Sequence, residues 1–171
     1  VVTLRCEHSC PYCQVSRQSD DRVAFDMSVE GADCAIDVAF SSPARRLKFE
    51  FQGGEPLLNF ELIRHIVETA AARASKDGRE IEFVIATNLA LVDDAILAFC
   101  KEHRILLSTS IDGPEDLHNA NRPRRGRDSH QRAVAGIGHA RQILGHDRVA
   151  ALMTTTNASL SRVRDIVDEY R

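Results

Sequence analysis

Apolar and polar positions along this chain switch repeatedly between a period of two and a period of 3.6, and that switching predicts its elements. Val1 to Arg5 reads as a short strand, and a helix follows from about Ser28, its N-cap, to Phe40. Leu47 to Gln52 reads as a second strand, with Leu47, Phe49 and Phe51 on one face and Lys48, Glu50 and Gln52 on the other. From Phe60 to Ser75 the period lengthens. Leu62, Ile63, Ile66, Val67, Ala70, Ala71 and Ala74 form one apolar stripe, Asn59 stands as N-cap, and Gly78 lies just beyond the C-terminal end. Strands over Ile81 to Thr87, Ile105 to Ile111 and Val149 to Thr155 alternate with helices over about Asp93 to Glu102 and Ser129 to Leu144, and a last helix begins near Ser161.

Strict alternation of strand and helix predicts an α/β fold with a parallel sheet and right-handed crossovers. Five such units make an open curved sheet or a partial barrel; a complete eight-fold barrel needs ~250 residues, and this chain has 171. In either architecture, chemistry sits at the carboxyl ends of the strands. The first four predicted strands obey that rule: they end in a cysteine loop, in Gln52-Gly53-Gly54-Glu55-Pro56, in Thr87-Asn88, and in Ser110-Ile111-Asp112-Gly113. Ser108, Ser110 and Asp112 share one face of the fourth strand, so a polar interior face opposes an apolar face packed under helices.

Cys6, Cys10 and Cys13 give the spacing Cys-x-x-x-Cys-x-x-Cys. Three thiolates in one loop can hold a 4Fe–4S cube and leave its fourth iron open to a substrate or cofactor. Two other readings stand beside that one: a structural zinc site completed by His8, and ordinary buried thiols. No second close pair of ligands follows, since Cys34 and Cys100 stand alone in helical patterns, where a core position is expected. Gly53-Gly54 lets backbone approach a ligand, and Glu55 offers a carboxylate to a cationic group; a plain turn is the alternative.

Composition narrows the partners. Net charge is −3, with 43% hydrophobic and 27% charged residues, which excludes a global pull toward nucleic acid or an anionic membrane. Arg122-Pro-Arg-Arg-Gly-Arg127 is a local basic run without interleaved aromatics and reads as a solvated loop. No apolar run approaches a membrane span, and clustered cysteines suit a reducing compartment, so a cytoplasmic location is expected.

The cysteine motif with Tyr12 before its last cysteine, and Gly-Gly-Glu-Pro ending the second strand, resemble the radical SAM superfamily. Ser110-Ile-Asp-Gly-Pro114 followed by Asn121-Arg122 resembles its peptide- and protein-modifying subgroup, which includes sulfatase-maturing enzymes. His8-Ser-Cys-Pro-Tyr-Cys-Gln-Val-Ser-Arg17, Phe25-Asp-Met-Ser28 and Phe51-Gln-Gly-Gly-Glu-Pro-Leu57 are similar to the His-Xaa-Ser system radical SAM maturase.

The resemblance implies a partial (βα) barrel and a 4Fe–4S cluster on Cys6, Cys10 and Cys13. The open iron takes the amine and carboxylate of S-adenosylmethionine (SAM). Reductive cleavage then gives methionine and a 5′-deoxyadenosyl radical that abstracts a substrate hydrogen. Carried over by motif, Gly53, Gly54 and Glu55 bind the methionyl amine, Ser110 and Arg122 its carboxylate, Asn88 the ribose, and Tyr12 lies near the adenine. Asp112 faces substrate, and His8 tunes the cluster. The implied partners are a peptide substrate and an external electron donor of flavodoxin or ferredoxin type, with no nucleic acid and no membrane. Because such cores have six strand–helix units, residues 1–171 are expected to be a core fragment without the last unit or a C-terminal auxiliary domain, leaving an exposed edge near Val149, Leu152 and Met153. A zinc- or cluster-stabilised peptide-binding module without catalysis is the alternative.

Overall fold

The computed structural model of the chain describes every residue except Ser16, Gln18 and Ser19. Helices α1 (Arg22–Phe25) and α2 (Val29–Phe40) lead to β1 (Arg46–Phe51), α3 (Phe60–Asp77), β2 (Glu80–Ala86), α4 (Asp94–Glu102) and β3 (Leu106–Ser110). Then come α5 (Glu115–Asn121), α6 (Ser129–Leu144), β4 (Val149–Leu152) and α7 (Val163–Glu169). The strands pair in parallel in the order β1-β2-β3-β4, as alternation requires. Ser28 and Asp93 cap α2 and α4 by accepting from the Gly31 and Ile96 amides at 3.1 and 2.8 Å. Gly78 ends α3 at φ +65°, a left-handed position that a glycine takes without strain.

One expected strand is absent from the sheet. Val1 to Arg5 runs beside the chain that continues β1, but among the described residues it forms isolated bridges, Thr3 with Gly53 and Thr3 with Asp26, and no ladder. Its Val2 amide donates to Gln52 O at 2.8 Å, and its Thr3 and Arg5 carbonyls accept from the Gly54 and Glu55 amides at 2.9 and 2.8 Å. Its other edge is taken by residues 25–27, through Leu4 N to Phe25 O and Met27 N to Val2 O. The segment is clasped between two loops instead of laddered along a strand, so among the described residues four strands replace the five expected. Asn59 also departs from its expected role: its amide donates to Val2 O at 2.9 Å and does not cap α3.

The two faces of the sheet divide as the alternation in β1 requires. Leu47, Phe51, Phe83, Ile85 and Leu107 are buried with Ile63, Ile66 and Val67 of α3 and with Ile96 and Leu97 of α4. Phe83 lies between Phe49 and Phe51, at ring-centroid distances of 5.9 and 6.3 Å. On the opposite face Glu50, Gln52, Ala86, Ser108, Ser110 and Leu152 line a cavity. At the β4 edge, Leu152 is 63% exposed, while Val149 is buried in the core instead of lying open.

Phe83→Ala should open a void between two rings and cost about 3–5 kcal/mol of stability, read as a lowered urea midpoint with an unchanged slope. An unchanged midpoint would show that the aromatic cluster contributes little.

Candidate functional site

The cavity has a volume of about 310 Å³ and lies over the carboxyl ends of the strands. Cys6, Cys10 and Cys13 all stand on its wall, with His8, Tyr12, Gly54, Asn88, Ser110 and Arg122. Among the described residues, no three His, Cys, Asp or Glu side chains close around one ion position. Cys6, Cys10, Cys13 and His8 nonetheless share the wall of this one cavity.

Close backbone approach puts the cysteine loop there. A Cβ on Gly54 would lie 2.1 Å from Arg5 O and 2.9 Å from Cys6 Cβ, and one on Gly53 would lie 2.4 Å from Thr3 O. Only glycine lets the turn after β1 press on the segment that enters the loop. Arg5 anchors that segment further: its guanidinium donates to both oxygens of Asp26, at 2.8 and 2.7 Å, and to Leu58 O at 2.7 Å. Arg17, which motif reading did not single out as a contact, donates from Nε to Cys6 O at 2.7 Å and from Nη1 to Ser9 Oγ at 2.8 Å. Ser16, part of the same quoted motif, lies outside the described residues.

Glu55 is fully buried and is not on the cavity wall. Its carboxylate accepts from the Leu57 amide at 3.0 Å, the Thr87 hydroxyl at 2.7 Å and the Asn88 amide at 2.8 Å, tying the end of β1 to the end of β2. Burial pushes its carboxyl up to about 7, aided by the nearby Glu7, against the pull of those three donors. The side chain of Asn88 is likewise engaged: Nδ2 donates to Glu7 Oε1 and meets His8 Nδ1, both at 2.8 Å, while Oδ1 accepts from the Ala90 amide. His8 is buried, and burial lowers its basicity; an imidazole that accepts at Nδ1 carries its proton on Nε2, which has no partner among the described residues.

Asp112, expected to face substrate, faces inward. It is fully buried and off the cavity wall. Its Oδ2 accepts from Tyr12 Oη at 2.6 Å and Arg122 Nε at 2.9 Å, and its Oδ1 from Arg122 Nη2 at 3.1 Å and the Thr154 amide at 3.0 Å. Burial alone would raise its carboxyl, but the hydrogen bond and charge of Arg122 hold it below the usual carboxylate range. Burial also pushes the Tyr12 phenol up. The Arg122 guanidinium lies 5.5 Å from the Tyr12 ring centroid and also reaches Thr154 Oγ1 at 3.3 Å. Just beyond, Pro123 O accepts from the Ser9 amide at 2.8 Å and Arg124 bridges His8, so the basic run packs on the cysteine loop. Arg124 is paired with Asp128, which leaves Arg125 and Arg127 exposed at the tip.

Burial works against the thiolate form of Cys6 and Cys10. Burial pushes the Cys6 thiol up to about 12 and raises that of Cys10, although Arg122 pulls the latter down. A bound cation reverses that preference, because coordination deprotonates a thiol outright. Cys100 is buried in the core and Cys34 is exposed on α2; neither is on the cavity wall.

Comparison with known proteins places the chain in a family. The model of the Radical SAM superfamily matches residues 1–169. An uncharacterised protein of Methanocaldococcus jannaschii is 37% identical over 114 residues, covering 67% of this chain and 37% of its own length. The serine-type anaerobic sulfatase-maturating enzyme of Klebsiella aerogenes is 31% identical over 134 residues, covering 77% of this chain and 33% of its own. Native anSMEcpe, solved with bound AdoMet and a peptide, matches 99% of this chain and 46% of its own with a TM-score of 0.80 at 23% identity, a likeness of fold. The chain therefore spans less than half the length of each of these three proteins.

Gly54→Ala should force the cysteine loop off the turn, because backbone at 2.1 Å cannot yield as a side-chain end can. We expect a stability loss of about 1–3 kcal/mol and a fall in iron bound per chain after reconstitution; full iron loading would contradict the packing argument. The Glu55 carboxyl, near 4.5 when unfolded and about 7 when folded, keeps a proton in the folded state that the unfolded chain releases. Stability of the iron-free protein should thus fall as pH rises through that window, relative to Glu55→Gln. Urea unfolding across the window checks this, and a pH-independent difference between the two proteins would contradict it.

Proposed function

The chain belongs to the radical SAM superfamily, and on that premise we propose that it is the cluster- and SAM-binding core of an enzyme that modifies a ribosomally made peptide, in a His-Xaa-Ser type system. The observation that carries the reading is the meeting of three cysteine thiols, Gly54, Ser110 and Arg122 around one cavity at the carboxyl ends of the strands. A 4Fe–4S cluster held by Cys6, Cys10 and Cys13 would supply the electron for reductive cleavage of SAM, the radical chemistry that would abstract a hydrogen atom from the peptide.

The residues present fit that group. Cys6, Cys10 and Cys13 would ligate three irons, and no fourth cysteine shares the cavity wall, so one iron stays open. The Gly54 and Glu55 amides are spent on Thr3 and Arg5, so the carbonyls of the Gly53–Gly54 turn would meet the methionyl amine. Glu55 would support that turn through Leu57, Thr87 and Asn88 instead of touching the amine itself. Ser110 and the remaining Nη1 of Arg122 would hold the carboxylate. Tyr12, pinned by Asp112, would border the adenine, and Asn88 the ribose. His8 and Asn88 close the cavity wall beside Cys6 and help exclude water.

A peptide partner follows from the subgroup resemblance and from the sulfatase-maturating relative. An external one-electron donor of flavodoxin or ferredoxin type would feed the cluster. Nucleic acid has no part in this reading, since Arg122 and Arg124 are committed to Asp112 and Asp128. Among the described residues no helix is long and apolar enough to cross a membrane; a cytoplasmic location suits an oxygen-sensitive cluster.

The test is product analysis. Full-length protein, reconstituted with iron and sulfide without oxygen and reduced with dithionite, should convert SAM to 5′-deoxyadenosine and methionine, and Cys10→Ala should abolish the conversion. Intact SAM together with one tightly held zinc per chain would turn the reading to a peptide-binding module.

A further inference from the structure

We propose that Asp112 is a positioning residue: its buried carboxylate sets the direction of Arg122 and Tyr12, locking the ligand-carboxylate site and the cysteine loop into one body. This inference rests on the reading above.

A carboxylate has about four lone-pair sites, and four donors fill those of Asp112. Tyr12 Oη and Arg122 Nε share Oδ2, while Arg122 Nη2 and the Thr154 amide share Oδ1. With no exposed surface and no acceptor site to spare, the group has nothing left to offer a substrate. Its main chain is fixed as well. The Asp112 amide donates to Nδ1 of His118 at 3.2 Å, and that imidazole is buried on α5. The next residue, Gly113, has φ +123°, and a Cβ there would lie 2.8 Å from Ile166 Cγ1 on α7. The backbone of Asp112, and through the Thr154 amide one carboxylate oxygen, are therefore held from outside the cavity.

What the carboxylate holds is on the cavity wall. The Nε–Nη2 edge of Arg122 is spent on it in a side-on fork, so Nη1 is the guanidinium nitrogen left without a partner among the described hydrogen bonds. Such a fork fixes the plane of a guanidinium, which a single contact does not. Tyr12 sits between Cys10 and Cys13, so its bond to Asp112 pins the cysteine loop to the end of β3, across 100 residues of chain. The stacking of Arg122 on the Tyr12 ring closes the triangle.

The experiment measures SAM affinity by equilibrium dialysis, and peptide KM, on cluster-loaded full-length protein. Asp112→Asn keeps the shape but places an N–H where one oxygen met Arg122. We expect iron per chain to stay at the wild-type level and SAM affinity to fall about 10-fold or more, as losing a charge-assisted hydrogen bond implies. Tyr12→Phe, which removes one of the four bonds, should give a smaller loss of about 3-fold. Wild-type SAM affinity in Asp112→Asn with a raised peptide KM would make Asp112 a substrate contact and overturn the proposal. Tighter SAM binding would do the same, showing only a counter-charge. Should Asp112→Asn fail to fold or load iron, Tyr12→Phe decides: unchanged SAM affinity overturns the proposal and a loss supports it. A wild type that loads iron but binds no SAM overturns the underlying reading instead.

Discussion

The backbone clasp between residues 2–6 and 52–55 is the contact on which the site depends. Three main-chain hydrogen bonds join Val2 to Gln52, Thr3 to Gly54 and Arg5 to Glu55. They form only because Gly53 and Gly54 carry no Cβ, which would meet Thr3 and Arg5 carbonyls at 2.4 and 2.1 Å. The clasp delivers Cys6 to the rim of the sheet at the point where β1 ends. Without it the cysteine motif would be a loop with no fixed relation to Ser110 and Arg122, which arrive from β3 and the end of α5.

A second clamp, from the other side, completes the enclosure. Asp112 holds Tyr12 and Arg122, Pro123 takes the Ser9 amide, and Arg124 bridges His8. Buried ionised groups are costly unless their hydrogen bonds are complete. Asp112 meets that condition with four donors, whereas Glu55 has only three. Glu55 has no cationic partner among its hydrogen-bond donors and rises to about 7, whereas Asp112 has Arg122 and stays low. Two buried acidic residues, one beyond β1 and one beyond β3, thus differ because one is paired with a charge and the other with neutral donors.

Much of this was legible in the chain. Period-two alternation placed Lys48, Glu50 and Gln52 opposite Phe49 and Phe51, and the sheet divides along that line. The stripe from Leu62 to Ala74 and Gly78 gave α3 and its end. The loaded strand ends pointed to the cavity where Cys6, Cys10, Cys13, Ser110 and Arg122 meet. What local pattern cannot carry was missed. Val1 to Arg5 has the alternation of a strand, but its partners are two loops, a non-local fact. Helices α1 and α5, of four and seven residues, are too short to show a period. The resemblance implied a substrate-facing Asp112, and period two put it on the polar face with Ser108 and Ser110. The strand ends at Ser110, though, and beyond it the backbone turns toward His118, so the alternation no longer applies. Arg17 contacts a backbone carbonyl, which leaves no mark on residue spacing.

The account's central claim is that three cysteines hold a cube whose fourth iron is open to SAM. Reduced-state EPR of the anaerobically reconstituted full-length protein, recorded with and without SAM, tests it most directly. The account predicts a 4Fe–4S signal that changes shape when SAM is added. A signal indifferent to SAM would mean a closed cluster that only passes electrons, and would contradict the assignment of the cavity.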